Sequence, residues 1–393
     1  MPILFTACER NEDDDTLLKF FGSASEDIGY SIAIADDGYL ICGQMTVISR
    51  SEDDYRPIYS KKMGIIKTGF DGNILTSWKN KTFGDSTAMG SKIIELDDGS
   101  VICAGHIIDK STQKDIFVVK LSSDGSQVVQ KIYKADGNQN SSDILKTQEG
   151  FLILGTTDVE RLPVTDSTGN RAGMKDILLM RINNNLEQIA TPSALGFPGN
   201  DISASLKPDI GGGYIIVGTT DMSEPGMANN NILLVKINAD GSATHPAIVG
   251  GTYDEYAADM EVLDDGYLIS GTIGSESSVQ SAFTSKIPRN ISAAPLFTKK
   301  IEKTVSWSVK AMSRYKSNYF VLAGQQGSAS SAKMLIFVVD SEGNLVEGKE
   351  KITGSTGIQV AYDVVSDSDD YIITVGKNSY ESNSMISLFK FRF

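Results

Sequence analysis

The stretch DDGYLICG, Asp36 to Gly43, reads as a tight turn followed by a short apolar strand. Similar stretches recur along the 393-residue chain. The glycine that closes each copy falls at Gly43, Gly105, Gly155, Gly218, Gly271, Gly324 and Gly376. Seven copies at a period of about fifty residues indicate a repeat architecture.

Each copy predicts four antiparallel strands. The fifth, GTYDEYAADMEVLDDGYLISGT (Gly251 to Thr272), contains an alternating strand, an Asp-Asp-Gly turn and a second strand. The fourth continues with NILLVKINADGSATHPAIVGG (Asn231 to Gly251), which is a third strand, a turn and a fourth strand. Four strands per repeat is the composition of a propeller blade, so we predict an all-β, seven-bladed β-propeller with four antiparallel strands per blade.

The two ends of the sequence predict how the propeller closes. The last copy stops after its third strand, SMISLFKFRF, and DTLLKFFGS at Asp15 to Ser23 matches the missing fourth strand. We therefore expect the N-terminal strand to complete the last blade, which hides the edges that an open array would expose. This closure predicts one propeller domain over residues 15–393.

The repeats resemble a known family. FGSASEDIGYSIAIADDGYLICG, GTYDEYAADMEVLDDGYLISGT and NILLVKINADG are similar to bacterial β-propeller repeats of the SBBP type. The resemblance covers the chain from Asp15 onward, although the sixth copy lacks the Asp-Gly turn. It is specific for the fold and weak for activity, and it implies an exported bacterial protein of a family whose functions are mostly unassigned.

Residues 1–14 predict a lipid anchor and a tether. Thr6, Ala7 and Cys8 match the end of a bacterial lipoprotein signal, with Phe5 where leucine is usual. The acidic run Glu9 to Asp15 resembles the export signal of Bacteroidetes surface lipoproteins. We expect a start upstream of Met1, lipidation of Cys8, and an outer-membrane lipoprotein of the cell envelope, either periplasmic or surface-exposed. The alternative is an accidental match followed by a solvated acidic tether.

The composition limits the classes of partner and metal site that this chain can have. The net charge of −14 repels a phosphate backbone, so we predict no nucleic-acid partner. His106 and His245 are the only histidines and fall in different blades, which excludes a multi-histidine metal site. We predict a monomer without metal or cofactor, which meets the membrane only through its lipid.

Two long segments interrupt the repeat on the face where binding loops collect, Thr46 to Lys62 and Asp158 to Lys175. Their aromatic and guanidinium groups suit stacking on a sugar or pairing with a carboxylate. The candidates are Tyr55, Arg56, Tyr59, Arg161 and Arg171. The alternative interpretation is a pair of variable, solvated insertions.

A second set of candidates lies eight residues before the second strand of five repeats. The set is Ser31, Lys92, Asp143, Asp259 and Asp363. Three carboxylates around a central channel suggest a cation or a general acid and base. The interpretation that we favour is an aspartate that recurs because its carboxylate binds backbone amides in every blade that has it.

As function we predict a non-enzymatic binding module for a glycan or an envelope protein. The alternatives are a polysaccharide hydrolase or lyase that uses Asp143, Asp259 and Asp363, and a structural envelope component. Two carboxylates about 5 to 10 Å apart in a pocket, one with a raised pKa, would favour the enzyme. Carboxylates that each bind backbone amides would favour the scaffold.

Overall fold

The computed structural model describes residues 16–23, 25–50, 56–79, 81–108, 113–158, 175–197, 199–222, 226–275, 278–328, 330–381 and 383–393. These ranges contain 28 strands in seven four-stranded antiparallel sheets, with one 3-10 helix at Thr76–Trp78. Each sheet corresponds to one copy of the repeat. The prediction of an all-β, seven-bladed β-propeller is therefore confirmed.

The blades are numbered along the chain, and their strands run in sequence order across each sheet except in blade 7, where β1 pairs with β28. Blade 1 is β2 (Ile28–Ala35), β3 (Gly38–Arg50), β4 (Pro57–Thr68) and β5 (Lys81–Phe83). Blade 2 is β6 (Ala88–Glu95), β7 (Val101–Ile108), β8 (Lys114–Leu121) and β9 (Val128–Tyr133). Blade 3 is β10 (Gln139–Lys146), β11 (Gly150–Thr157), β12 (Asp176–Asn183) and β13 (Ser193–Leu195). Blade 4 is β14 (Asp201–Pro208), β15 (Tyr214–Thr220), β16 (Asn231–Ile237) and β17 (Ala247–Val249).

Blade 5 is β18 (Glu255–Leu263), β19 (Gly266–Ile273), β20 (Ser281–Pro288) and β21 (Phe297–Ile301). Blade 6 is β22 (Trp307–Tyr315), β23 (Tyr319–Ser328), β24 (Ser331–Asp340) and β25 (Leu345–Thr353). Blade 7 is β26 (Ile358–Ser366), β27 (Ile372–Tyr380), β28 (Asn383–Phe391) and β1 (Leu17–Phe21). Blades 7, 1 and 2 form one compact unit, and blades 3, 4 and 5 with most of blade 6 form a second.

The first unit contains the strand that closes the fold. β1 pairs antiparallel with β28, from Leu17 opposite Lys390 to Phe21 opposite Ile386. Phe21 is fully buried and packs with apolar side chains of blades 7 and 1, including Ile32 and Ile41. The expected closure by the N-terminal strand is confirmed, and burial of these side chains stabilises it.

The second unit has its core between neighbouring sheets. Apolar side chains from the middle strands of blades 3 and 4, such as Leu154, Leu179 and Leu233, form one cluster. Blades 4 and 5 share a second cluster that includes Met260 and Phe283. Strands covered on both faces read as nearly continuous apolar runs, and the middle strands of these blades have such runs.

The glycine that defines the repeat is fixed by close approach of the backbone. In every blade, the innermost strand carries a β-bulge directly after the residue that pairs with this glycine. A Cβ on any of the seven glycines would lie 1.8–2.4 Å from a carbonyl oxygen of the innermost strand. No larger residue fits there without displacing that strand.

The predicted tether of residues 1–14, with Cys8, lies outside the described residues. Among the described residues, no helix is long and apolar enough to cross a membrane.

Candidate functional site

The three candidate aspartates occupy equivalent places, directly after the bulge of the innermost strand. Asp143, Asp259 and Asp363 are each less than one-tenth exposed. One oxygen of each carboxylate accepts a hydrogen bond from the following amide, Ile144 at 2.9 Å, Met260 at 2.8 Å and Val364 at 2.9 Å. The other oxygen accepts from an amide of the next blade, Leu206 at 2.9 Å, Met312 at 3.1 Å and Ile32 at 3.1 Å.

We call this arrangement the inter-blade clamp: one carboxylate that binds two backbone amides, one in its own blade and one in the next. It joins blade 3 to blade 4, blade 5 to blade 6, and blade 7 to blade 1. The receiving blades have the small residues Ser205, Ala311 and Ser31 at the aspartate position. These contacts favour the scaffold interpretation of the aspartates, because both oxygens of each bind buried backbone donors.

Asp363 also binds the other two members of the predicted set. Its Oδ2 accepts a hydrogen bond from the Ser31 hydroxyl at 2.8 Å and lies 3.1 Å from the Lys92 ammonium. Ser31 is completely buried, and its hydroxyl donates to the carboxylate. A serine nucleophile must face both a base and the substrate, so this geometry does not activate Ser31.

Asp259 has an acidic neighbour on the same strand. The Lys207 ammonium lies 3.7 Å from a carboxylate oxygen of Asp259 and 3.7 Å from one of Glu261. The guanidinium of Arg314 lies 4.0 Å from the other oxygen of Glu261. Burial raises the pKa of Glu261. A pair of acids with one raised pKa is the arrangement that would favour acid–base chemistry.

The segment Thr46 to Lys62, expected as a loop, is largely a long hairpin. β3 and β4 stay paired from Met45 opposite Lys62 to Arg50 opposite Pro57, and residues 51–55 lie outside the described ranges. The β-branched and aromatic residues of TVISR and PIYSK explain why these stretches continue as strands. We call residues 46–50 and 57–62 the β3–β4 ribbon.

The β3–β4 ribbon exposes large apolar side chains. Ile48 and Tyr59 pair across it and are 43% and 59% exposed, and Ile58 opposite Ser49 is 50% exposed. Because side chains of neighbouring residues alternate between faces, Ile48 and Tyr59 share one face and Ile58 lies on the other. Arg56 is exposed at the end of the ribbon.

Polar contacts hold the ribbon at its base. The Thr46 amide donates to Asp27 Oδ1 at 2.5 Å, and the Thr46 hydroxyl donates to the Glu26 carbonyl at 2.8 Å. Lys61 forms an ion pair with Glu26, and the Lys62 ammonium donates to the Gly84 carbonyl at 2.6 Å. The base is therefore fixed to blade 1 and to the loop that enters blade 2.

The remaining predicted site residues, Tyr55, Arg161, Arg171 and Cys8, lie outside the described residues. The structure thus places Tyr59 and Arg56 on or beside the ribbon, and Asp143, Asp259 and Asp363 in the inter-blade clamp.

A further set of acids was missed by the sequence analysis. Asp201 and Glu255 are the first residues of their innermost strands and are almost fully buried. Each accepts a hydrogen bond from an amide four residues earlier, Phe197 at 2.6 Å and Gly251 at 3.3 Å. Burial raises the pKa of each to about 7. An acid five residues after a glycine, as in Gly196 to Asp201, was the available signal.

The comparisons with known proteins agree with the propeller fold. No protein-family model and no curated protein matches the chain. A solved structure of a puromycin hydrolase variant has a TM-score of 0.55 at 10% identity over 91% of this chain. The chain spans 52% of that hydrolase, about half its length.

Two further structures are similar over most of the chain. A putative 6-phosphogluconolactonase from Bacteroides uniformis has a TM-score of 0.49 at 10% identity, over 88% of this chain and 94% of its own. Sqt1 from Chaetomium thermophilum has a TM-score of 0.48 at 10% identity, over 94% and 83%. The class of protein, a seven-bladed β-propeller, is defined by the seven four-stranded sheets described above, and at such low identity the similarities indicate no activity.

Proposed function

We propose that this propeller is a non-enzymatic interaction module that binds a protein partner through the β3–β4 ribbon. The observation that supports it is the exposure of Ile48, Ile58 and Tyr59 on a ribbon whose base is fixed by hydrogen bonds and ion pairs. Apolar groups clustered at the surface are typical of interaction sites, and a base held in place reduces the ordering cost of binding.

The chemistry of the ribbon favours a protein over a glycan. Two of its three exposed large apolar side chains, Ile48 and Ile58, are aliphatic and lie on opposite faces. A sugar stacks on a flat aromatic ring, whereas a protein groove can enclose both faces of an inserted ribbon. A glycan ligand is therefore the alternative outcome of the test.

The inner-strand aspartates support a non-enzymatic role. Each of them binds two backbone amides, so its charge is used for holding blades together. The observation that favours the alternative, a polysaccharide hydrolase or lyase, is the raised pKa of Glu261 beside Asp259. Turnover of a polysaccharide that Glu261→Gln abolishes, with the melting temperature unchanged, would establish that alternative.

Site-specific photo-crosslinking tests the interaction module. A benzophenone amino acid replaces Tyr59 in one variant and Val129 in a matched control, because Val129 is 52% exposed on the outer strand β9. We expect one protein to be crosslinked from position 59 and not from 129. The purified partner should then bind the triple variant Ile48→Thr, Ile58→Thr, Tyr59→Thr at least tenfold more weakly.

Equal crosslinking from both positions, or unchanged affinity of the triple variant, would contradict the proposal. The triple variant has β-branched threonine at all three exposed positions, so its melting temperature should match the wild type. If the protein binds glycans on an array and the single substitution Tyr59→Thr abolishes that binding, the ligand is a glycan and not a protein.

We further propose that the module is an SBBP-type repeat protein of the bacterial cell envelope, anchored by lipid on Cys8. Support comes from the residues Thr6, Ala7 and Cys8 and from the acidic run that follows. Expression in a bacterial host with an upstream signal segment, fed with an alkyne fatty acid, should label the wild type and not Cys8→Ser. Equal labelling of both would contradict the anchor.

A further inference from the structure

The second compact unit contains a cavity between blades 3 and 4. Its volume is about 230 Å³, and its lining includes Thr147, Arg181, Tyr214 and Ala239, with Glu149 at the rim. Thr147 follows the innermost strand of blade 3, Arg181 lies on β12, and Tyr214 begins β15 of blade 4. The cavity is therefore on the side of the short turns between first and second strands.

Arg181 differs from the cations at the same position of other blades. Lys67 lies 2.8 Å from Asp37, Lys236 lies 2.7 Å from Asp209, and Lys286 lies 2.8 Å from Asp265. The Arg181 guanidinium is half-buried and makes no hydrogen bond or ion pair with any residue that the structure describes. A guanidinium that loses part of its hydration without gaining an acid is costly, and an external anion would offset that cost.

Blades 4 and 5 show how this type of site holds a carboxylate. The side chain of Asp209 is completely buried and lies 2.7 Å from the Lys236 ammonium. It accepts a hydrogen bond from the Tyr267 hydroxyl at 3.0 Å and pairs with Arg289. A cation, a tyrosine hydroxyl and a second cation thus enclose one carboxylate at this inter-blade position.

At the same positions, blades 3 and 4 have a cation and a tyrosine, but a threonine in place of the acid. Thr147 comes four residues after the clamp position Asp143, as Asp209 comes four after Ser205. Arg181 pairs with Leu152 three residues before the repeat glycine, as Lys236 pairs with Ile215.

Tyr214 likewise corresponds to Tyr267, four residues before the repeat glycine. Ala239 lies three residues after Lys236, at the position that Arg289 has three residues after Lys286. The two replacements, threonine for aspartate and alanine for arginine, leave the space that the cavity occupies.

We propose that this cavity binds the carboxylate of an external ligand between Arg181 and Tyr214, at the place that the Asp209 carboxylate takes in the next pair of blades. The proposal stands independently of the β3–β4 ribbon. The cavity is smaller than the ~300–1,000 Å³ of pockets for drug-sized ligands, so a single carboxylate-bearing unit fits it. Such a carboxylate belongs to an acidic sugar or to the C-terminus of a peptide.

Glu149 at the rim is the internal competitor. It occupies the place of Asp37 and Asp265, one residue before the turn glycine, yet forms no ion pair with Arg181. If the carboxylate of a ligand binds Arg181, Glu149→Gln should strengthen binding by removing a repulsive charge. If Arg181 instead pairs with Glu149 in solution, the same change should lower stability.

Titration calorimetry with paired probes tests the proposal. The probes are glucuronate against glucuronamide, and N-acetylalanine against N-acetylalaninamide. We expect the acid of at least one pair to bind at least tenfold more tightly than its amide, and the tighter acid identifies the source of the carboxylate. Arg181→Gln should weaken acid binding at least tenfold.

The decisive variant is Thr147→Asp, which rebuilds the arrangement of Asp209 inside the cavity. We expect it to abolish acid binding and to raise the melting temperature, because the internal carboxylate then occupies the site. Acids that bind no better than amides would overturn the proposal. So would undiminished acid binding in Thr147→Asp, or a Glu149→Gln variant that loses as much thermal stability as Arg181→Gln without gaining affinity.

Discussion

The inter-blade clamp predicts a large and specific loss of stability when its carboxylate is removed. In Asp143→Ala, the amides of Ile144 and Leu206, now each bound at 2.9 Å, lose their acceptor. A hydrogen bond to a charged group contributes about 1.5–3 kcal/mol, and a buried donor left without an acceptor costs a similar amount. We expect the free energy of unfolding to fall by about 3–5 kcal/mol.

Asparagine at the same position refines this estimate. Its amide oxygen can accept from one of the two backbone donors, whereas its NH₂ group can accept from neither. Asp143→Asn should therefore lose about half as much stability as Asp143→Ala. The matched control is Asp240→Ala, because Asp240 also binds an amide, that of Ser242 at 2.9 Å, but in an exposed turn. Its loss should be much smaller.

Two measurements check the clamp. Urea unfolding gives the loss of stability, and hydrogen exchange followed by NMR gives the local effect. The amide of Leu206 should exchange faster in Asp143→Ala, whereas the amides of blades 5 and 6 should be unaffected. A change within about 0.5 kcal/mol of the wild type, the range of ordinary surface substitutions, would refute the clamp.

Three further predictions concern other parts of the fold. Because burial raises the pKa of Asp201 and Glu255 to about 7, the folded state holds their protons more tightly than the unfolded state does. The free energy of unfolding should therefore rise as pH falls from about 8 to about 5. The double variant Asp201→Asn, Glu255→Gln should flatten this rise in urea titrations. Gly271→Ala places a Cβ 2.1 Å from the Tyr256 carbonyl oxygen and should lower stability by about 1–3 kcal/mol, whereas Gly274→Ala, with only ordinary contacts, should not. Removing residues 1–21 should expose the edge of β28 and produce oligomers in light scattering, whereas removing residues 1–14 should leave a monomer.

Much of the fold could be predicted because each blade repeats the same physical constraint. The glycine that closes each copy faces a bulged strand, so it recurs even where the turn changes. Blade 6 lacks the Asp-Gly turn, but Lys316 adopts a φ of 59° and the hairpin from Tyr315 to Tyr319 still forms. The close approach at Gly324 and the apolar strands are sufficient for this blade.

The site was less predictable, because its features depend on pairs of blades. The recurrence of Asp143, Asp259 and Asp363 at one place in the repeat was visible in the sequence, but one of the two amides that each of them binds belongs to the next blade. The ribbon was read as a loop because its length exceeded the repeat, although Val47, Ile48 and Ile58 were strand signals. Nothing in the sequence marks Arg181, because the contrast with Lys236 depends on the acid that each cation contacts in the folded chain.

The pairing of β1 with β28 has a consequence for the order of the chain. Leu17 lies opposite Lys390 across one ladder, and neighbouring strands of a sheet are about 5 Å apart. A short linker could therefore join these two points, and a new start could be opened in the turn between any other two blades. Each circular permutation opened between blades would preserve the same set of strand pairs, so the pairing of strands does not require any particular blade to come first.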